Sequence, residues 1–91
     1  MRVSKQIEIV LKAEFSPLRL SVINESHLHA GHAGDDGSGE SHFRVEIVSG
    51  AFTGKTRLER HRMVQEALKD LQKSQIHALS IQAKTPDEDN S

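Results

Sequence analysis

The sequence predicts an α+β fold of order α-β-β-α-β, with a three-stranded mixed sheet and helices packed on one face. Three observations carry this. Apolar residues recur at helical spacing near each end of the 91-residue chain, they alternate at period two between those stretches, and a third short apolar run follows the second helical stretch.

The first helix is read from Val3, Ile7, Val10, Leu11 and Phe15, which share one face, while Lys5, Glu8, Lys12 and Glu14 fall largely elsewhere. Pro17 stops it, because the residue before a proline is pushed out of the α region. Leu18, Leu20 and Val22 then alternate with Arg19 and Ser21 as a half-buried strand. Phe43, Val45 and Ile47 alternate with Arg44 and Glu46 in a second strand, which ends near Ser49 and Gly50. Phe52 and Gly54 mark a short turn. Thr56 and Glu59 have the S/T-x-x-E form of a capping box and open the second helix. Its buried face is expected to be Leu58, Val64, Ala67, Leu68 and Leu71, and Ile76 to Ala83 make the third strand. The domain is expected to span residues 1–86, with 87–91 a disordered acidic tail.

Consecutive strands pair antiparallel by default, and a strand–helix–strand return to the same sheet makes a parallel pair. The third strand would then begin at the sheet end where the first strand finishes and the second starts.

That end matters because of the connection it carries. Between Asn24 and Phe43 runs NESHLHAGHAGDDGSGESHF, which holds four of the six histidines: His27, His29, His32 and His42. Parallel pairing would bring His77 to the same end. Imidazole is a common metal ligand and titrates near neutral pH. Two readings stand at this level. The loop histidines and His77 supply nitrogen ligands to one metal centre, or His77 is a half-buried core residue and the loop histidines are polar filler. The spacing matches no closed His/Cys zinc motif.

Composition narrows the classes. One modest core is available, built mainly of Val, Ile, Leu and Ala, since the only aromatics are three Phe. Net charge is −1, which argues against binding driven by bulk positive potential. Cysteine is absent, so disulfides, thiol catalysis and an all-thiolate metal site are excluded for this chain alone. No apolar run approaches the roughly 18 residues of a membrane-spanning helix, and no signal-peptide core follows Met1. A soluble chain that is not exported is expected.

A second constellation is Lys55, Arg57, Arg60 and Arg62 around the start of the second helix. It reads first as a solvated basic face, then as a partner surface, and as a phosphate contact only with Phe52 for stacking. Gly54-Lys55-Thr56 has the end of a P-loop without its upstream glycine, Ser49 standing there instead. No arrangement demands a base-activated serine, so the chain is not expected to be an enzyme.

The sequence resembles the BolA-like proteins. The resemblance runs in order through N-E-S-H at 24–27, E-S-H-F-R-V at 40–45, I-V-S at 47–49 and F-T-G at 52–54. It continues through R-H-R-M-V at 60–64, I-H-A-L-S-I at 76–81 and T-P at 85–86. Such a resemblance implies a core like a class II KH domain. It also implies pairing with a monothiol glutaredoxin of the CGFS type and a [2Fe-2S] cluster shared with that glutaredoxin and glutathione. The isolated chain would bind none. The family's I-H-A-L histidine falls on His77, and its loop ligand, placed by distance from N-E-S, falls on His29.

Two departures accompany the resemblance. The loop is longer than in many members, and its H-A-G-H-A-G run adds His32 as an alternative to His29. The family's usual tryptophan after T-P is absent. His42 and His61 take structural roles in this reading, with His42 a donor to a ligand.

The function implied is an adaptor in iron–sulfur trafficking or in iron or redox regulation. The alternative is a KH-like DNA-binding transcriptional regulator, with Lys55, Arg57, Arg60 and Arg62 as its nucleic-acid residues and Arg60 and Arg62 on phosphate. No membrane partner is expected, and a weak homodimer is compatible with the reading. The expected location is the cytoplasm, or the reducing interior of an organelle if a targeting segment has been removed.

Overall fold

The computed structural model describes residues 2–25, 42–76 and 78–89. Helix α1 spans Val3–Phe15 and buries Val3, Ile7, Leu11 and Phe15, the four-residue spacing that the sequence displays. It stops where Ser16 turns left-handed at φ +44° and its N–H returns to the Lys12 carbonyl at 3.1 Å. Pro17 then forbids another turn.

Strands β1 (Arg19–Asn24) and β2 (His42–Val48) pair antiparallel, from Arg19 opposite Val48 to Asn24 opposite Phe43. Strand β3 (Ala78–Lys84) pairs parallel with β2, from Ala78 beside His42 to Lys84 beside Val48. The sheet order is β1-β2-β3, so the expected mixed sheet forms. Leu18 precedes β1 and is 71% exposed, although its N–H already donates to the Val48 carbonyl at 2.8 Å.

The core gathers α1, the inward residues Phe43, Val45 and Ile47 of β2, and Ile81 of β3 beneath Val64 and Leu68. Phe52 closes it, fully buried, with its ring centroid 5.2 Å from that of Phe15 at a tilt of 37°. Phe52 sits in a 3₁₀ turn, Gly50–Phe52, that Ser49 fixes. The Ser49 hydroxyl donates to the Phe15 carbonyl at 2.7 Å and accepts from the Ala51 N–H at 3.1 Å. One buried serine thus ties the end of α1 to the end of β2.

Helix α2 runs from Arg57 to Ala67 and opens with the predicted capping box. Glu59 N–H donates to Thr56 Oγ1 at 3.1 Å, and Thr56 N–H donates to Glu59 Oε1 at 2.8 Å. The helical register is interrupted at Leu68, and α3 continues over Lys69–Ser74. Leu58 corrects the expected buried face, for it is 60% exposed. It lies six residues before Val64, about 240° around the helix. Arg60 and His61, four and three residues before Val64, take the inward positions instead.

After β3 the residues Pro86–Asp89 form a helical turn, α4. Thr85 and Glu88 repeat the capping box, with Thr85 N–H donating to Glu88 Oε1 at 3.0 Å and Glu88 N–H to Thr85 Oγ1 at 3.3 Å. Pro86 stands at the first helical position, where its fixed φ suits the helix and its missing N–H costs nothing. No helix among the described residues is long and apolar enough to cross a membrane.

Candidate metal-ligand end and basic groove

One end of the sheet collects the feet of the long connection. Glu25 N–H donates to the His42 carbonyl at 2.8 Å, so the chain leaves and re-enters at adjacent positions. Ala78 is the parallel partner of His42 on the other side. The topological expectation therefore holds for the flanking residues: the end of β1, the start of β2 and the start of β3 meet. His27, His29, His32 and His77 themselves lie outside the described residues.

Between these feet lies a cleft of about 200 Å³ bordered by Glu25, His42, Phe43, Ala78, Leu79 and Ser80. His42 is 8% exposed there. Arg44 is placed between Glu25 at 3.9 Å and Glu46 at 3.7 Å, so one guanidinium balances two carboxylates beside the cleft. Among the described residues no group of three His, Asp or Glu is able to hold a metal ion. The donor chemistry of the chain nonetheless fits half of a shared iron–sulfur site. It offers imidazole from the loop and from position 77, with no thiolate of its own.

The basic constellation resolves into separate roles. Arg57 and Arg60 border a groove of about 410 Å³ between α2 and β3, together with His61, Lys84 and Glu88. Lys55 and Arg62 are exposed and lie outside it. Arg60 corrects the solvated-face reading, since its side chain is only 13% exposed. It donates to the carbonyls of Lys55 at 3.0 Å and Ala83 at 3.2 Å, and forks onto Glu88 at 2.6 and 3.2 Å. His61 Nε2 contacts the Ile81 carbonyl at 2.9 Å and thereby bonds the same two elements. The Arg60 guanidinium, then the Thr85 N–H, hold the Glu88 carboxyl down to a pKa of about 2. Glu59 is lowered by its bonds to Thr56.

The Glu88 partnership was missed from sequence, although Thr85-Pro86-Asp87-Glu88 carries a helix-start signal. Ser49 was missed as well, for no local pattern announces a serine that bonds a carbonyl 34 residues away.

Fold and feet together define a small α+β module that presents a histidine-bearing connection at one sheet end and a basic groove along one helix. The chain belongs to the BolA-like family, whose model matches residues 11–88. The solved structure of BolA1 from Arabidopsis thaliana superposes with a TM-score of 0.87 at 39% identity, over 97% of this chain and 96% of that one. The DNA-binding transcriptional regulator BolA of Escherichia coli is 40% identical over 93% of this chain and 77% of its own length. SufE-like protein 1, chloroplastic/mitochondrial, of Arabidopsis thaliana is 47% identical over 97% of this chain, which spans 24% of that relative.

Proposed function

We propose that this chain is an adaptor that pairs with a monothiol CGFS glutaredoxin and shares a [2Fe-2S] cluster with it and with glutathione. His77 and His29 supply the imidazole ligands, with His32 the alternative in the loop. The observation that carries this reading is the register at the sheet end, where Ala78 adjoins His42 and Glu25 bonds His42. It brings Glu25, His42 and Ala78, the described residues that flank the loop and position 77, side by side, which supports a reading in which a partner supplies the rest of the ligand set. When bound, a cluster with imidazole in place of thiolate has a raised potential and exchanges more readily, which suits transfer or sensing. The reading places the protein in a reducing compartment and gives it no catalytic step of its own.

The test is heterodimer formation. The chain is mixed with a CGFS glutaredoxin and glutathione, with and without reconstituted cluster, and resolved by size-exclusion chromatography at cluster-absorbing wavelengths. A 1:1 heterodimer carrying the cluster absorbance is expected. A glutaredoxin homodimer that keeps its cluster while this chain elutes alone would contradict the adaptor.

A second reading is a nucleic-acid-binding regulator, favoured by the name of the Escherichia coli relative and by the groove of Arg57, Arg60 and Lys84. A salt-dependent DNA affinity that falls in Arg57→Gln would support it.

A further inference from the structure

The groove between α2 and β3 already holds an anion, and that anion is the chain's own. Glu88 faces the Arg60 guanidinium through both oxygens, the forked geometry with which arginine also takes phosphate. The Arg60 carbonyl partners on Lys55 and Ala83 aim the guanidinium without help from Glu88. Glu88 is about half exposed at the rim, whereas Arg60 is largely enclosed. The basic seat is therefore the built part, and the acid is its occupant. Among the described residues Glu88 is also the one carboxylate on the groove beside Arg57, Arg60 and Lys84. The formal charge of −1 becomes +2 once the carboxylates of Asp87, Glu88 and Asp89 are set aside.

We propose that α4 is an intramolecular cap: Glu88 occupies the seat on Arg60 that a backbone phosphate of single-stranded nucleic acid takes when α4 is displaced. This rests on the second reading above and adds its regulation. A concave basic groove tracks one backbone, and contacts made to phosphate carry no sequence information, so binding would be indifferent to sequence. The cap is displaceable because α4 is a single turn at the chain's C-terminal side and one partner of each ion pair, Glu88 and Arg19, is open to solvent. A second ion pair runs from Arg19 to Asp89 at 2.8 Å, with the arginine 73% exposed.

The experiment measures fluorescence anisotropy of a labelled oligo-dT across a range of salt, using the full chain. The variants are Glu88→Gln, Glu14→Gln as an equal charge change outside the groove, and Glu88→Gln combined with Arg57→Gln. The cap predicts roughly threefold or tighter binding for Glu88→Gln and a salt slope steeper by about 0.7, the value of one added phosphate contact. Glu14→Gln should move neither quantity, and adding Arg57→Gln should remove the gain. If the wild type binds and Glu88→Gln binds no tighter than Glu14→Gln, the cap is wrong while the groove reading stands. If no variant binds, the groove reading falls and the cap falls with it. Urea melts of each variant separate lost binding from lost folding.

Discussion

His42 and Ala78 are partners across the parallel pair of β2 and β3, and the His42 carbonyl also receives the Glu25 N–H. One backbone position therefore holds both feet of the histidine-bearing connection and the start of β3. On the proposed reading, that point is the base shared by the loop ligand and the ligand at position 77.

That anchor depends on the sheet staying registered with α1, and Ser49 links them. Ser49→Ala removes the hydroxyl that donates to the Phe15 carbonyl and accepts from Ala51 N–H, both near the fully buried Phe52. The expected loss is about 1–3 kcal/mol, the cost of leaving a buried polar group unpaired. A urea titration showing no shift in midpoint would contradict this.

At the start of α2, Thr56→Ala deletes one arm of the capping box. A loss of about 1 kcal/mol is expected. The change should appear as a lower urea midpoint at unchanged slope, because the compactness of either end state is untouched.

Large-to-small change at Phe52 should be far more severe. The ring is fully buried against Phe15, and Phe52→Ala is expected to cost about 3–5 kcal/mol. In a domain of this size that is a large part of the total stability. Loss of cooperative thermal unfolding by circular dichroism is the expected readout, and a melt like that of the wild type would be the opposing result.

The Arg60–Glu88 pair makes a prediction about pH. The folded-state pKa of Glu88 is lowered from 4.5 to about 2, so its contribution is present above the unfolded value and is lost as pH falls towards 2. Wild type and Glu88→Gln should differ in urea midpoint at pH 6, and the gap should narrow progressively below pH 4.5. A gap that stays constant down to pH 2 would show that the carboxylate's charge is not what Arg60 recognises.

The sequence disclosed what depends on local period and on chain punctuation. Ile7 and Leu11 announced α1, Pro17 its end, and Thr56 with Glu59 the start of α2. The parallel return of β3 followed from topology, and with it the meeting of His42 and Ala78. Contacts across the fold were less legible. Leu58 looked like core by composition, yet the helix phase set by Val64 and Leu68 gave the inward positions to Arg60 and His61. A polar residue can hold such a position only because β3 offers carbonyls at Ala83 and Ile81, and no local pattern reveals those acceptors. The Thr85-Pro86-Asp87-Glu88 signal was legible and was outweighed by the acidic composition of the tail.

The central claim is that His77 and a loop histidine complete a partner's cluster, and visible circular dichroism of the reconstituted heterodimer tests it most directly. The [2Fe-2S] cluster is assembled with a CGFS glutaredoxin, glutathione and either wild-type chain or the His29→Ala, His32→Ala and His77→Ala variants. The account predicts altered spectra for His77→Ala and His29→Ala and a nearly unchanged one for His32→Ala. A His77→Ala spectrum identical to wild type would contradict it.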